Sequence, residues 1–435
     1  MDARPEEPGG LHRAHALRPG QQGRLRLPRC RCRCQGRQLA GPRQRALQRR
    51  PVACGQHHRA AGQLHGLARG IARARPEQTP RGGRSPSSGH PSAALEEAMR
   101  RLATVTGDIG PDELGIALPH EHLFANGTRM IPRDGFSTIW AERADDIERF
   151  LAIGGRTIVD LSCGELTNHA APVLWDTDPE HQLQNRVTGS RSVVNVRATK
   201  ALAEECGVNV VLGTGHYYDA YMDHDWMDQT STSRIADYLI ADLVDEIPGT
   251  GVRAGVIGEI ASDFAHITPR EEKSFRAAAR ASRETGALIS THAPTFAVGL
   301  AQVELLVKDE GVPPERIAIG HTDTVKSLEY SLALAATGVF VQYDCMMACK
   351  IGGVLVMTEL QRRIDHLKAL IDAGYEEQLL LSHDVFQRSH QAALGGPGFV
   401  FLFDEFAGHA ERAGISRESL HRIHTVNVRR ALFGE

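Results

Sequence analysis

Eight short apolar runs, separated by longer amphipathic segments, constrain the fold of this chain more than any other feature. In order they are GIALPHEHLF (115–124), RTIVDLSC (156–163), NVVLGTGHYY (209–218), RAGVIGEI (253–260), ALISTHAP (287–294), RIAIGHTD (316–323), GVFVQYD (338–344) and QLLLSHDV (378–385). Helical segments such as ERADDIERFLAIGG, VVNVRATKALAEECG, EEKSFRAAARASRETG and ELQRRIDHLKALIDAG lie between them. Several close on Gly, the residue that most readily takes the left-handed conformation that stops a helix. Strands joined by helical crossovers run parallel, and eight such units predict a (β/α)8 barrel (TIM barrel) over residues 99–435. A doubly wound open sheet is the alternative, but no Gly-rich dinucleotide loop follows the first run.

The polar residues favour the barrel. The fragments PHEH (119–122), IGEI (257–260), THAP (291–294), IGHTD (319–323) and LSHD (381–384) place His, Glu or Asp at strand C-terminal ends, where barrel enzymes build their sites. A strand puts His120 and His122 on one face and Glu121 on the other. A lone His-x-His is more often surface or satisfied core than a ligand pair. Here His120, His122, Glu259, His292, His321 and Asp384 recur at matching positions. Four imidazoles and two carboxylates are about what two divalent ions sharing a carboxylate bridge require. Two divalent ions are therefore expected, zinc foremost, with Mn2+, Co2+ and Fe2+ also compatible with these donors. Ions about 3.5–4 Å apart ionise a shared water and polarise the scissile oxygen.

The net charge of −3 hides two unlike halves. Residues 1–98 hold 19 Arg, no Lys, six acidic residues and no Phe, Tyr or Trp, whereas the remainder holds 31 basic and 47 acidic residues. The head cannot bury enough apolar surface to offset its ordering entropy, so a disordered extension is expected. Clustered Arg invites a phosphate-binding reading, but stacking aromatics and a recognition-helix pattern are missing, and no nucleic-acid partner is expected. Arg outnumbers Lys 44 to 6 over the chain, and Met99 stands just before the first organised segment. Residues 1–98 therefore read as a non-functional extension translated upstream of residues 99–435, the hydrolase domain. Cys30, Cys32 and Cys34 lie in an Arg-Cys repeat that looks compositional, and the body cysteines lack the paired spacing of disulfide-stapled domains. With no apolar run long enough to span a membrane and no signal-peptide core, a cytoplasmic setting without a membrane partner is expected.

TVTGDIGPDELGIALPHEHLF, GVIGEIASD, STHAP, AIGHTDT, LKALIDAGYEEQLLLSHDV and TVNVRRALF resemble, in order and spacing, the phosphotriesterase family of the amidohydrolase superfamily. The resemblance runs from about Thr104 to the C-terminus. It implies that His120, His122 and Asp384 hold the more buried metal, His292 and His321 the more exposed one. Glu259 would bridge them as in the glutamate-bridged branch, since the fourth strand has no Lys. It also gives Asp384 a catalytic role, taking the proton of the attacking water, and implies a homodimer.

Relatives of this kind cleave lactones, organophosphate triesters or N-acyl amides, so a small-molecule substrate is expected. A lactone or carboxylic ester leads, with promiscuous phosphotriester cleavage; an N-acyl amide or a phosphoester is the alternative on the same metals. Amide cleavage needs a general acid beyond the metals, because the amine leaving group must be protonated. A catalytically inactive barrel serving as a binding protein is the reading from another class, and six intact ligand positions argue against it. Tyr217 and Tyr218 at the third strand end are expected to contact substrate, with core packing as the bland alternative. Asp323 reads as a relay member or a helix cap, His216 and His383 as locally hydrogen-bonded, and Cys163 as a small core residue. GGPGFVFLFDEF reads as a long barrel-top loop with an apolar tip suited to covering a hydrophobic substrate, with a protein contact surface as the equal alternative. Departures from the family pattern fall in CGELTNHAAP, which lacks the usual Gly-Arg-Asp, in the short IGHTDT, and in the Met-rich MMACKIGGVLVMTE, where Met can adapt to varied substrates.

Overall fold

A computed structural model describes residues 101–435 apart from 173–175, 177 and 263. The expectation for residues 1–98 lies outside the described residues. Strands β1 (Ile116–Glu121), β2 (Gly155–Asp160), β3 (Asn209–Thr214), β4 (Val256–Ala261), β5 (Ile289–His292), β6 (Ile317–Ile319), β7 (Phe340–Tyr343) and β8 (Leu379–Leu381) form one sheet in sequence order. Every neighbouring pair is parallel. Helices α1 (Trp140–Ala152), α2 (Val193–Cys206), α3 (Thr232–Val244), α4 (Pro269–Thr285), α5 (Gly299–Val303), α6 (Leu328–Ala335), α7 (Met357–Asp372) and α8 (Glu405–Arg412) follow successive strands. This is the (β/α)8 barrel expected from the sequence.

Local sequence explains the alternation. Thr268 and Glu271 form a reciprocal capping box at the start of α4, Pro269 opens its first turn, and Gly286 ends it at φ 77°. Ser192, Ser231 and Ser327 accept backbone N–H groups at the starts of α2, α3 and α6, worth about 1 kcal/mol each. Period-2 alternation sorts the strand side chains. Ala117, Val159, Val211, Val256, Ala318 and Leu380 share one core cluster, whereas their neighbours Leu118, Ile158, Val210, Ile257, Ile319 and Leu381 join a second with the helix faces. Leu102 and Ile109 of an N-terminal hairpin and Val428, Ala431 and Leu432 of the last helix complete the first cluster, closing the barrel at the strands' N-terminal ends.

The seam between β8 and β1 is closed by side chains. Ser382 Oγ accepts from His120 N (3.1 Å) and donates to Glu121 Oε1 (2.8 Å). Glu121 also accepts the backbone N–H groups of His383 and Val385, each at 2.8 Å, and lies 3.0 Å from His383 Nδ1. The outward face that the alternation assigned to Glu121 is thus the weld of the barrel.

Two irregularities aim residues at the mouth. The β1–β2 register shifts between Leu118 and Glu121, so His120 and His122 face inward although Ala117 also does. On β4 the register shifts between Ile257 and Ile260, where Gly258 (φ 151°) packs so tightly that a Cβ would lie 2.6 Å from Ser290 O. Only glycine fits there.

Candidate metal centre

All six predicted ligand residues meet at the C-terminal mouth. Glu259 Oε1 lies 2.6 Å from His292 Nδ1, 2.8 Å from His321 Nε2 and 3.6 Å from His120 Nε2, while its Oε2 lies 3.7 Å from His122 Nε2. Its carboxylate thus reaches histidines from both halves of the cluster. Asp384 Oδ1 lies 3.3 Å from His122 Nε2 and 3.9 Å from His120 Nε2. His321 (φ 56°) and Asp384 (φ 57°) occupy the left-handed region, which costs a non-glycine residue about 1–2 kcal/mol and turns each off its strand's path.

These residues fit a pair of metals on a direct observation. His120 Nε2 is fully buried, has no hydrogen-bond partner, and sits among carboxylate oxygens too far away to bond it. A buried orphan nitrogen is costly unless something else takes its lone pair. His120, His122 and Asp384 form one compact ligand triad, and His120, Glu259 and His321 a second. The nitrogen and oxygen donors suit zinc or another first-row divalent ion.

The electrostatics match that donor set. Burial would raise the Glu259 carboxyl, but His292 and His120 overcome it and hold Glu259 well below the usual range. Burial would lower His120, yet Asp344 and Glu259 push it up to about 9. Burial lowers His292 despite Glu259. The cluster is thus built around carboxylates held in their anionic form.

Sequence reasoning missed the outer support. Asp344, at the end of β7, contacts both His120 and His321 on their Nδ1 sides, and Gln342 Nε2 donates to Asp344 Oδ2 at 2.6 Å. Inward alternation from Phe340 through Gln342 to Asp344 was the signal that could have found it. Cys345 was also passed over; its Sγ lies 3.1 Å from His321 Nδ1 and 3.8 Å from Asp384 Oδ2.

Asp323 is fully buried in a hydrogen-bonded network. Arg363 Nε donates to its Oδ2 (2.6 Å), and its Oδ1 accepts the N–H groups of Asp344 and Cys345 (3.2 Å each), so it fixes the β7 exit. His216 pairs with Glu165 at 2.9 Å, His383 with Glu121 and Leu402 N, and Cys163 is buried among aromatic residues. The loop expected to cover the site does not: Phe399, Phe401, Leu402 and Phe406 are buried in the main core and are absent from the cavity lining. Their apolar area is needed there, at about 1.5–3 kcal/mol per buried side chain.

Above the cluster opens a cavity of about 460 Å³. Met130, Leu166, Phe264, Pro294, Met347 and Phe386 give it apolar walls. Tyr217 and Tyr218 also line it, and Tyr217 Oη lies 3.4 Å from His292 Nε2. The departures noted in the sequence fall here, since Leu166 comes from the CGELTNHAAP segment and Met347 from the Met-rich one.

A parallel (β/α)8 barrel whose mouth gathers histidines and carboxylates beneath an apolar cavity defines a metal-dependent hydrolase. The chain belongs to the phosphotriesterase family, whose model matches residues 184–432. It is 34% identical over 236 residues to the phosphotriesterase homology protein of Escherichia coli (strain K12), spanning 54% of this chain and 77% of that one. Similarity to the N-acetyltaurine hydrolase of Dictyostelium discoideum is 26% identity over 378 residues, covering 78% of this chain and 99% of that one. Among solved structures, the E. coli protein, complexed with phosphate in its active site, superposes with a TM-score of 0.62 at 28% identity, covering 74% of this chain and 99% of that one. A lactonase from Listeria monocytogenes shares the fold, with a TM-score of 0.61 at 24% identity over 76% of this chain and 98% of that one. Among the described residues no helix is long and apolar enough to cross a membrane.

Proposed function

We propose that this chain is a metal-dependent amidohydrolase that cleaves N-acylated small molecules, with His120, His122, Glu259, His292, His321 and Asp384 as ligands of two divalent ions, zinc foremost. When bound, the ions supply an ionised water and polarise the substrate carbonyl. Asp384 takes the water's proton. Tyr217 carries the reading. Amide cleavage needs a proton donor for the departing nitrogen, and the Tyr217 phenol stands at the cavity wall within 3.4 Å of a ligand histidine. The similarity to N-acetyltaurine hydrolases, over 78% of this chain and 99% of theirs, supports the same choice. The order of preference read from the sequence, lactone or ester first, is thereby reversed.

Lactones and carboxylic esters are the second reading, favoured by the apolar cavity walls and by a leaving alkoxide that needs less protonation. Full-length, metal-replete protein assayed on matched N-acetyl amides and lactones, with and without chelator, separates the two. Chelator-sensitive amide turnover that falls in Tyr217→Phe by more than lactone turnover is the expected result. Lactone turnover alone, unaffected by Tyr217→Phe, would transfer the assignment to the second reading. A cytoplasmic setting belongs to this proposal, in keeping with free Cys163, Cys206, Cys345 and Cys349.

A further inference from the structure

The cavity over the metal cluster has one feature that neither water activation nor leaving-group protonation uses. Among the described residues Arg129 is the only Arg or Lys that lines it. Among the described residues no carboxylate pairs with this guanidinium: Nη1 donates to Tyr221 O at 3.2 Å, Nη2 donates to Ala220 O, and Cζ lies 4.8 Å over the Tyr221 ring. Carbonyls and an aromatic face hold the group in place, and none of these contacts neutralises its charge. Of the other Arg residues with a described polar contact, many are spent on carboxylates, as with Arg270 on Asp228 and Arg388 on Glu142.

The position is also fixed. Tyr221 Oη accepts the Met130 backbone N–H at 3.0 Å, which pins the loop beside Arg129. Ring contacts then run from Tyr221 to Tyr217 at 5.2 Å and from Tyr217 to His292 at 4.9 Å. An aromatic wall therefore joins the cation to the ligand cluster, and a substrate whose carbonyl lies at the cluster can extend along that wall to reach the guanidinium.

We propose that Arg129 anchors an anionic group, carboxylate or sulfonate, on the amine side of the substrate, so that the preferred substrates are N-acylated amino acids or aminosulfonates. This rests on the amide reading above and narrows it. A planar guanidinium matches such oxyanions in two-point contact.

The test uses full-length, metal-replete protein with N-acetyl-β-alanine and N-acetyltaurine as charged probes. The isosteric neutral N-acetyl-β-alaninamide is the control. Arg129→Met is expected to raise KM for the charged probes roughly 10- to 100-fold, with the neutral probe within about twofold and partial rescue by Arg129→Lys. The larger loss on N-acetyltaurine or on N-acetyl-β-alanine identifies the preferred oxyanion. A variant that weakens charged and neutral probes alike, or neither, overturns the anchor and gives Arg129 a structural role only. The amide reading fails separately. If none of these amides turns over, calorimetric binding of N-acetyl-β-alanine decides: Arg129-dependent binding keeps the anchor and drops the amide, and Arg129-independent or absent binding overturns the anchor.

Discussion

Asp344 Oδ2 lies 2.8 Å from His120 Nδ1. The other oxygen of the same carboxylate lies 2.9 Å from His321 Nδ1, so one side chain at the end of β7 orients imidazoles from β1 and β6. With Nδ1 held in this way, each ring turns its Nε2 toward Glu259. Partners of this kind set the tautomer and raise the basicity of a ligand histidine. Asp344→Asn keeps the shape but presents an amide to one of the two rings. Metal affinity is expected to fall about 10- to 100-fold with the fold intact, measured by chelator competition alongside circular dichroism. Wild-type affinity in that variant would leave Asp344 without an orienting role.

Glu259 reaches histidines of both halves of the cluster, and its removal tests the bridge directly. The variant Glu259→Ala deletes the oxygens facing His292, His321 and His122 at once. The expected outcome is loss of bound metal and of activity in a barrel that still folds, read by elemental analysis and thermal melting. Full metal content and activity would sink the bridging assignment.

How much of this was legible in the sequence follows from which forces are local. Capping, period-2 alternation and strand-end chemistry are short-range, and they located the barrel and placed all six predicted ligand residues at one mouth. Register shifts are not local: the bulge that turns His120 inward arises from pairing with β2, nearly 40 residues away in sequence. The same holds for Asp323, whose partner Arg363 comes from α7 and whose role no single motif carries. Phe399 and Phe401 misled because an apolar loop and an apolar core segment have the same composition. Only the packing distinguishes them.

The weld at Glu121 predicts a stability defect rather than a catalytic one. Its carboxylate accepts from Ser382 Oγ and from two backbone N–H groups, all buried. Burial would raise this carboxyl, but His383 and those N–H groups hold it below its usual range, so the anion is the stable form. Glu121→Ala strands several buried donors at about 1–3 kcal/mol each, so a loss of roughly 3–5 kcal/mol is expected. Glu121→Gln, which keeps one accepting oxygen, should lose less. Chemical denaturation measures both, and an Ala variant within about 1 kcal/mol of wild type would show that the seam is held by β8–β1 packing instead.

His424 gives the chain an acid limit. Its ring lies 4.5 Å from Phe403, its Nδ1 has no hydrogen-bond partner, and burial, aided by the nearby His383, pushes it down to about 3 from 6.5. Between those values the unfolded chain binds a proton that the folded chain refuses. The stability contributed by the neutral ring is therefore complete above pH 6.5 and is lost as pH falls toward 3. At pH 5 one such group costs about 2 kcal/mol. His424→Leu keeps an apolar side chain at the site and removes the titration, so its melting temperature should decline less steeply than that of wild type between pH 7 and pH 5. His390, which burial pushes down to about 4, retains part of the decline in the variant. Parallel curves for the two proteins would mean that the acid limit is set elsewhere, with His390 the next residue to replace.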